Sequence, residues 1–280
     1  MSEHGFYTRE REEEIIKADW VQGVYKDLWI AQFRKIGDCC YRYADKVTSL
    51  YPDGRRIQIE SGCPEEKTIV IPNGIDPARF STAAPKSEDD SYINVGALLR
   101  VTPIKDVKTM IRAYALAKGR CTNLKLWIMG SLDETPDYAK ECQDLVKELG
   151  VQDVVFTGPI RPEDYIGKMD MMILSSLSEG QPLSILEGFT ARKPFIVTNV
   201  GNCRGLIEGE RDVWGPAGIV VPIMGVSKMA EAILRLTDDP ELRRKMGEIG
   251  NRRVRQFYDE SDIMNRYRKV YEEMAQLHKG

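Results

Sequence analysis

Arg100 and Lys105 stand five residues apart in Gly-Ala-Leu-Leu-Arg-Val-Thr-Pro-Ile-Lys, and Glu179 and Glu187 stand eight apart in Glu-Gly-Gln-Pro-Leu-Ser-Ile-Leu-Glu. Two cations in a loop between a strand and a helix can straddle a diphosphate, the arginine as a planar fork and the lysine as a point charge. Pro103 stiffens the turn between them. Two carboxylates at the mouth of a second helix can accept hydrogen bonds from hydroxyls, each worth about 1.5–3 kcal/mol when the acceptor is charged. The four together predict a pocket for a nucleotide-linked sugar, with Glu179 on the hexose hydroxyls and Glu187 on the ribose hydroxyls. Arg100 and Lys105 would also serve catalysis, because a bond to a diphosphate breaks only as its departing charge is stabilised. Taken singly, each has a plainer reading as a surface charge near a helix end.

The intervening residues fit the same chemistry. Pro182 falls where a helix would begin, since its missing amide hydrogen costs nothing in the first turn. The free amides of Leu183 and Ser184 then face the distal phosphate, and Gly180 and Gln181 make the tight step from Glu179. Gly96 opens the first loop, Gly130 ends the next strand, and Gly158, Pro159 and Ile160 offer a flat face and polar edge for the base. Gly201, in Val-Gly-Asn-Cys-Arg, follows a later strand and could close on the sugar, although such a turn is more often only a turn. His4 is a candidate acid or base at the reacting carbon, set against the mobility usual so near a chain end.

These residues need a scaffold. Short apolar runs alternate with helical periodicity from Tyr92 onward: strands at 92–95, 124–129, 154–157, 171–175, 195–199 and 219–221, and helices at 107–118, 138–149, 163–169, 183–190, 203–207, 227–236 and 240–257. That alternation predicts an α/β fold, a Rossmann-like doubly wound parallel sheet whose ligands bind beyond the carboxyl ends of the strands. Arg100, Lys105, Gly130, Gly158, Glu179 and Gly201 all fall just after predicted strands. The first eighty residues read mainly as helix, at 9–17, 28–45 and 55–60, with strands at 47–51 and 68–72, and 81–90 reads as a polar linker. A final helix, 260–274, presents Ile263, Met264, Tyr267, Val270, Tyr271 and Met274 along one side. The expected division is 1–76, 77–257 and 258–280, the last crossing back to the first.

Composition narrows the function further. A chain of 280 residues, 42% hydrophobic and with a net charge of -3, provides a core but no global field for nucleic acid or an anionic membrane. No apolar run approaches the length of a membrane span. Six cysteines without a Cys-x-x-Cys motif, and only two histidines, argue for reduced thiols, a cytoplasmic setting and no metal site. The Gly96–Arg100 loop lacks the Gly-x-Gly-x-x-Gly fingerprint, which disfavours a dehydrogenase. A non-catalytic nucleotide-sugar-binding or regulatory module, or a UDP-sugar epimerase of similar architecture, would need the same diphosphate grip.

The motif Glu179-x7-Glu187, the Arg100/Lys105 pair, the junction Ile71-Pro-Asn-Gly-Ile-Asp76 and the run from Glu187 through Pro194 to Thr198 resemble the family-4 retaining glycosyltransferases, built of two Rossmann-like domains in the GT-B fold. The strings Glu3-His-Gly-Phe-Tyr-Thr-Arg-Glu-Arg11, Pro103-Ile-Lys-Asp-Val-Lys-Thr109 and Asn199-Val-Gly-Asn-Cys-Arg204 look like those of Pel exopolysaccharide glycosyltransferases. The resemblance implies a UDP-sugar donor, UDP-glucose, held after Ile71. It further implies retention of anomeric configuration, no essential metal or cofactor, a saccharide acceptor, and a synthesis complex at the cytoplasmic face of an inner membrane. It also raises His4 to a catalytic candidate. Two departures stand out. Family members carry a glycine before the proline that follows the second glutamate, whereas this chain has Thr190-Ala-Arg-Lys-Pro194, which predicts a changed turn. The amino-terminal domain also looks truncated, which predicts exposed apolar surface before Ser81, available for self-association, and a donor half not competent alone.

Overall fold

The computed structural model describes residues 1–2, 23–80 and 85–277. His4, the helix predicted at 9–17 and part of the predicted linker therefore lie outside the described residues. The chain divides into two compact units, one comprising 1–73 with 262–280 and the other 74–261.

In the first unit, helix α1 (Val24–Tyr43) precedes strand β1 (Val47–Ser49), helix α2 (Pro52–Glu60) and strand β2 (Thr68–Val70), and the two strands pair in parallel. Its core is small: Tyr41, Val47 and Cys63, with Ala44 against them. Along α1 the side chains of Val24, Tyr25, Leu28, Ile36 and Tyr43 are exposed, as is Trp29, which stacks on Phe33 at 6.0 Å.

The second unit is a six-stranded parallel sheet. Strands β3 (Ile93–Leu98), β4 (Leu124–Met129), β5 (Val154–Gly158), β6 (Met171–Leu174), β7 (Phe195–Thr198) and β8 (Gly218–Val221) lie in the order β5-β4-β3-β6-β7-β8. The alternating helices are α3 (Val107–Lys118), α4 (Pro136–Glu148), α5 (Leu183–Thr190), α6 (Cys203–Glu208), α7 (Val226–Asp238) and α8 (Pro240–Phe257); helix α9 (Glu260–Leu277) follows and from Asp262 onward belongs to the first unit. Met171-Met-Ile-Leu174 and Phe195-Ile-Val-Thr198 are buried at every position, because a parallel strand covered on both faces needs apolar side chains throughout. The order turns back between β3 and β6, so the loops after these two strands diverge and leave a crevice for a ligand.

Helix starts follow local chemistry. Asp239 caps α8 by accepting from the Leu242 amide at 2.8 Å, with Pro240 in the first turn. Asp106, itself left-handed at φ 44°, caps α3 through the Thr109 amide.

Two expectations need correction, the helix at 163–169 and the breadth of the α9 stripe, and the linker gains an anchor. Residues 163–169 form no α-helix but two 3-10 turns, Pro162–Asp164 and Ile166–Lys168. A segment this short, broken by Gly167, gains too little to nucleate a helix. Its carboxyl end is instead drawn back to β3, where Asp170 Oδ2 accepts from the Asn94 amide and the Asp170 amide donates to the Asn94 carbonyl, both at 2.8 Å. In the linker, Lys86 is anchored, donating to Asp170 Oδ2 at 2.8 Å and to the Tyr92 carbonyl. On α9, Ile263 is buried and Tyr267, Val270 and Met274 are half-buried, whereas Met264 and Tyr271 lie in solvent. The packed line is thus narrower than the stripe read from the sequence.

The turn after α5 closes as a Schellman cap without a glycine. The Lys193 amide donates to the Gly188 carbonyl at 2.9 Å and the Arg192 amide to the Phe189 carbonyl at 3.1 Å, the two bonds of a Schellman cap. Arg192 takes the left-handed position at φ 55°. A side chain in that region costs about 1–2 kcal/mol. Its ion pair with Glu248, at 3.2 Å, is exposed and returns less than about 1 kcal/mol. Arg192→Gly is therefore expected to stabilise the protein by about 0.5–1 kcal/mol, read as a higher urea midpoint at unchanged slope; a loss of stability would show the cap is unstrained.

Candidate donor site

Lys105 and Glu179 meet. Lys105 follows β3 and Glu179 follows β6, on the two sides of the place where the strand order reverses, and Lys105 Nζ lies 2.6 Å from Glu179 Oε1. Both are largely shielded, with 17% and 9% of their side chains exposed, which strengthens the pair relative to a surface one. Ser176 Oγ donates to the same carboxylate oxygen at 2.5 Å.

The backbone explains this convergence. Ser175 Oγ donates to the carbonyls of Lys105 at 2.8 Å and Asp106 at 3.0 Å, and the Leu177 amide donates to the Ile104 carbonyl at 2.8 Å. On the other side, Thr198 Oγ1 donates to the Ser176 carbonyl at 2.6 Å and the Asn202 amide to the Gly180 carbonyl at 2.8 Å. Gly201, at φ 49°, passes so close that a Cβ there would stand 1.9 Å from the Glu179 carbonyl oxygen. The loop carrying Glu179 is thus laced to both neighbouring loops, and Gly201 serves that lacing.

Arg100 is turned elsewhere. Its Nη1 donates to both carboxylate oxygens of Glu134 at 2.9 Å, with 61% and 45% of the two side chains exposed. Arg100 and Lys105 therefore belong to separate ion pairs. Glu187, in the second turn of α5, belongs to a third group. Burial raises its pKa, the Arg79 guanidinium opposes that rise, and the Glu163 carboxylate adds to it. Arg79 Nε itself binds Glu163.

The glycines separate into kinds. Gly130 (φ 147°) and Gly158 (φ 69°) lie at the carboxyl ends of β4 and β5, and the Gly130 amide donates to the Gly158 carbonyl at 3.1 Å. Gly96 lies not in a loop but inside β3, where a Cβ would collide with the side chains of Met169 and Met172, so it is a packing glycine. Pro182 is the residue capping α5 rather than its first helical residue, and Leu183 opens the helix half exposed. Gln181 and Pro182 are buried, Gly180 is half-buried, Pro159 is exposed, and Ile160 packs on the core.

Ser176, Glu134, Arg79 and Glu163 were not singled out from the sequence. Ser176 lies three residues before Glu179 and could have been noticed; the others become partners only through the fold. Among the described residues no cluster of three or more His, Cys, Asp or Glu could hold a metal, and no helix is long and apolar enough to cross a membrane.

Known proteins bear on this arrangement. Residues 1–66 match a family described as a domain of unknown function, DUF3492, and residues 90–239 match the model of the family described as glycosyl transferases group 1. Alpha-D-kanosaminyltransferase of Streptomyces kanamyceticus is 33% identical over 153 residues, covering 53% of this chain and 37% of the relative. The D-inositol 3-phosphate glycosyltransferase of Kineococcus radiotolerans is 27% identical over 234 residues, covering 76% and 54%. The chain thus spans between about a third and a little over half of these curated relatives' length. Among solved structures, Anabaena HepE in complex with UDP and glucose superposes with a TM-score of 0.75 at 20% identity, covering 86% of this chain and 67% of its own. Sucrose-phosphate synthase from Thermosynechococcus elongatus reaches 0.79 at 19% identity, covering 99% and 67%. The α/β architecture and parallel sheet are those of GT-B glycosyltransferases. With more than half of its residues inside the matched model, the chain belongs to the glycosyl transferases group 1 family.

Proposed function

We propose that this chain is the donor-binding part of a family-4 retaining transferase that moves a hexose, glucose, from UDP to a growing exopolysaccharide of the Pel type. The observation that carries the reading is the shielded Lys105–Glu179 contact across the reversal of strand order. It provides one cation and one carboxylate within reach of a single small ligand, at the place where such sheets bind nucleotides. Lys105, joined by Arg100, takes the diphosphate, and Glu179 takes hexose hydroxyls. Glu187 accepts from the ribose, and the amides opening α5 add partial positive charge at the phosphates. Support for a nucleotide sugar also comes from HepE, which was solved with UDP-glucose.

In the transfer the bond from the anomeric carbon to the diphosphate oxygen breaks, and its electron pair leaves with UDP. The acceptor hydroxyl oxygen bonds to that carbon, and its proton passes to the departing diphosphate. Lys105 and Arg100 stabilise the leaving charge. His4, a saccharide acceptor, a membrane-face synthesis complex and a cytoplasmic location belong to the same proposal.

Titration calorimetry tests it. UDP and UDP-glucose are expected to bind at micromolar to millimolar concentration, UDP-glucose in preference to UDP-galactose. No heat with any UDP compound at millimolar ligand would overturn the reading.

A further inference from the structure

The loop after β4 brings Glu134 to Arg100, one of the two cations proposed to hold the donor diphosphate, so the inference that follows rests on that assignment. Glu134 takes both of its short contacts from a single nitrogen, Arg100 Nη1, at 2.9 Å to each carboxylate oxygen. The two loops that carry the pair are tied to each other through their backbones. The Leu99 amide donates to the Met129 carbonyl and the Val101 amide to the Ser131 carbonyl, both at 2.9 Å, and Thr135 Oγ1 donates to the Val101 carbonyl at 2.9 Å. Gly130 passes where a Cβ would stand 1.9 Å from the Leu99 carbonyl oxygen, so the backbones cross in contact. Pro136 in the first turn of α4 fixes the direction in which the chain leaves Glu134. The crossed backbones thus place the Glu134 carboxylate within reach of the guanidinium.

We infer that Glu134 is an affinity-setting residue of the donor site, an internal anion that occupies Arg100 when no donor is bound and must be displaced by the diphosphate. Glu134 engages Arg100 through Nη1 alone, but its charge meets that of any diphosphate brought to the same guanidinium, so binding works against the existing ion pair and weakens or replaces it. The same exchange runs backwards after transfer: recapture of Arg100 by Glu134 lowers the cost of releasing UDP. Lys105 sits in the parallel situation with Glu179, but that pair is shielded and Glu179 has its own part in holding the sugar. Glu134 has no other assigned part, and 45% of its side chain is exposed. It can therefore be removed without touching the core.

The measurement is UDP affinity by calorimetry on the chain and on Glu134→Ala, Arg100→Ala and the double variant, with melting temperatures checked for each. An exposed pair of this kind is weak, so Glu134→Ala is expected to tighten UDP by about three- to five-fold. In the Arg100→Ala background the same substitution is expected to change affinity by less than about 1.5-fold, because the guanidinium for which it competed is gone. An equal gain in both backgrounds would mean only that a negative charge had been removed from the neighbourhood, and would overturn the inference. Unchanged or weaker binding by Glu134→Ala would overturn it as well. If the unmodified chain binds no UDP at all, the reading of the donor site itself falls; if it binds UDP and Arg100→Ala binds equally well, the donor site survives and the role of Glu134 does not.

Discussion

Lys105→Ala is expected to weaken UDP binding by about 30- to 150-fold, measured by calorimetry at low salt. A hydrogen bond between an ammonium and a phosphate is worth about 1.5–3 kcal/mol, which alone spans roughly one to two decades. The substitution also leaves Glu179, only 9% exposed and 2.6 Å from the lost nitrogen, as an unpaired carboxylate beside the incoming diphosphate. That repulsion places the result in the upper part of the range. Ser176 still donates to Glu179, but the shielded carboxylate has lost its counter-charge, so some thermal stability is expected to be lost and the titration is run well below the variant's melting temperature. Glu179→Gln makes the contrast: it frees Lys105 for the phosphate and is expected to leave UDP binding intact or tighter while removing discrimination for the hexose. An affinity for UDP within two-fold of the original in Lys105→Ala would show that the lysine grips no phosphate.

Arg253→Met is expected to destabilise the second unit by about 3–5 kcal/mol, read as a large fall in the urea midpoint. Only 1% of Arg253 and 2% of Asp212 is exposed, yet all three guanidinium nitrogens are used. Nε and Nη2 bond the two Asp212 oxygens at 2.7 and 2.8 Å, Nη1 bonds the carbonyls of Leu206 and Ile207 at 2.8 and 2.9 Å, and Nη2 bonds that of Gly215 at 2.8 Å. Methionine fills much of the volume but leaves the buried Asp212 carboxylate without its counter-charge, with only the Trp214 amide donating to it, and takes a donor from three carbonyls, of which that of Ile207 keeps the Ala217 amide. Asp212→Asn with Arg253→Met is expected to recover part of the loss, because the uncompensated charge is then absent. The pair also sets an acid limit. The hydrogen bond from Arg253 holds the Asp212 carboxyl below its usual pKa, against the opposing effect of burial. Since the folded value is the lower one, the stabilisation is present above the ordinary carboxylate pKa and is lost as the pH falls through the depressed one. A stability that stays flat on acidification into that range would mean the pair contributes nothing through ionisation.

The alternation of strands and helices was legible from Tyr92 onward because a doubly covered parallel strand must be apolar at nearly every position, and the helices between carry a clear period. Residues 107–118, 124–129, 183–190 and 240–257 form elements with the predicted bounds. The segment 163–169 misled because its composition suits a helix, while the pull of Asp170 toward Asn94 is a contact across 76 residues that no local pattern reveals. Lys105 and Glu179 could be named from type and spacing, and their meeting depends only on β3 and β6 being neighbours. The engagement of Arg100 with Glu134 was not legible, since Glu134 is one acid among several in a polar loop. Arg253 reads as one more charge in a basic amphipathic helix, and only the fold turns it inward. The run Thr190-Ala-Arg-Lys-Pro194, without the glycine expected before the proline, predicted a changed turn; two cap hydrogen bonds close the turn there, with Arg192 in the left-handed position.

The backbone crossing at Gly201 divides the loop after β6 into a part that tolerates no side chain and a part that carries its side chains in solvent. Because the backbone carbonyl of residue 179 lies where any side chain at 201 would begin, position 201 admits only glycine while the loop keeps this path, whatever stands at 179. Leu177 and Ser178, just upstream, are exposed and burdened with no such constraint. Side chains at those two positions can therefore be exchanged while the path of the loop, and the Lys105–Glu179 contact that depends on it, stays in place.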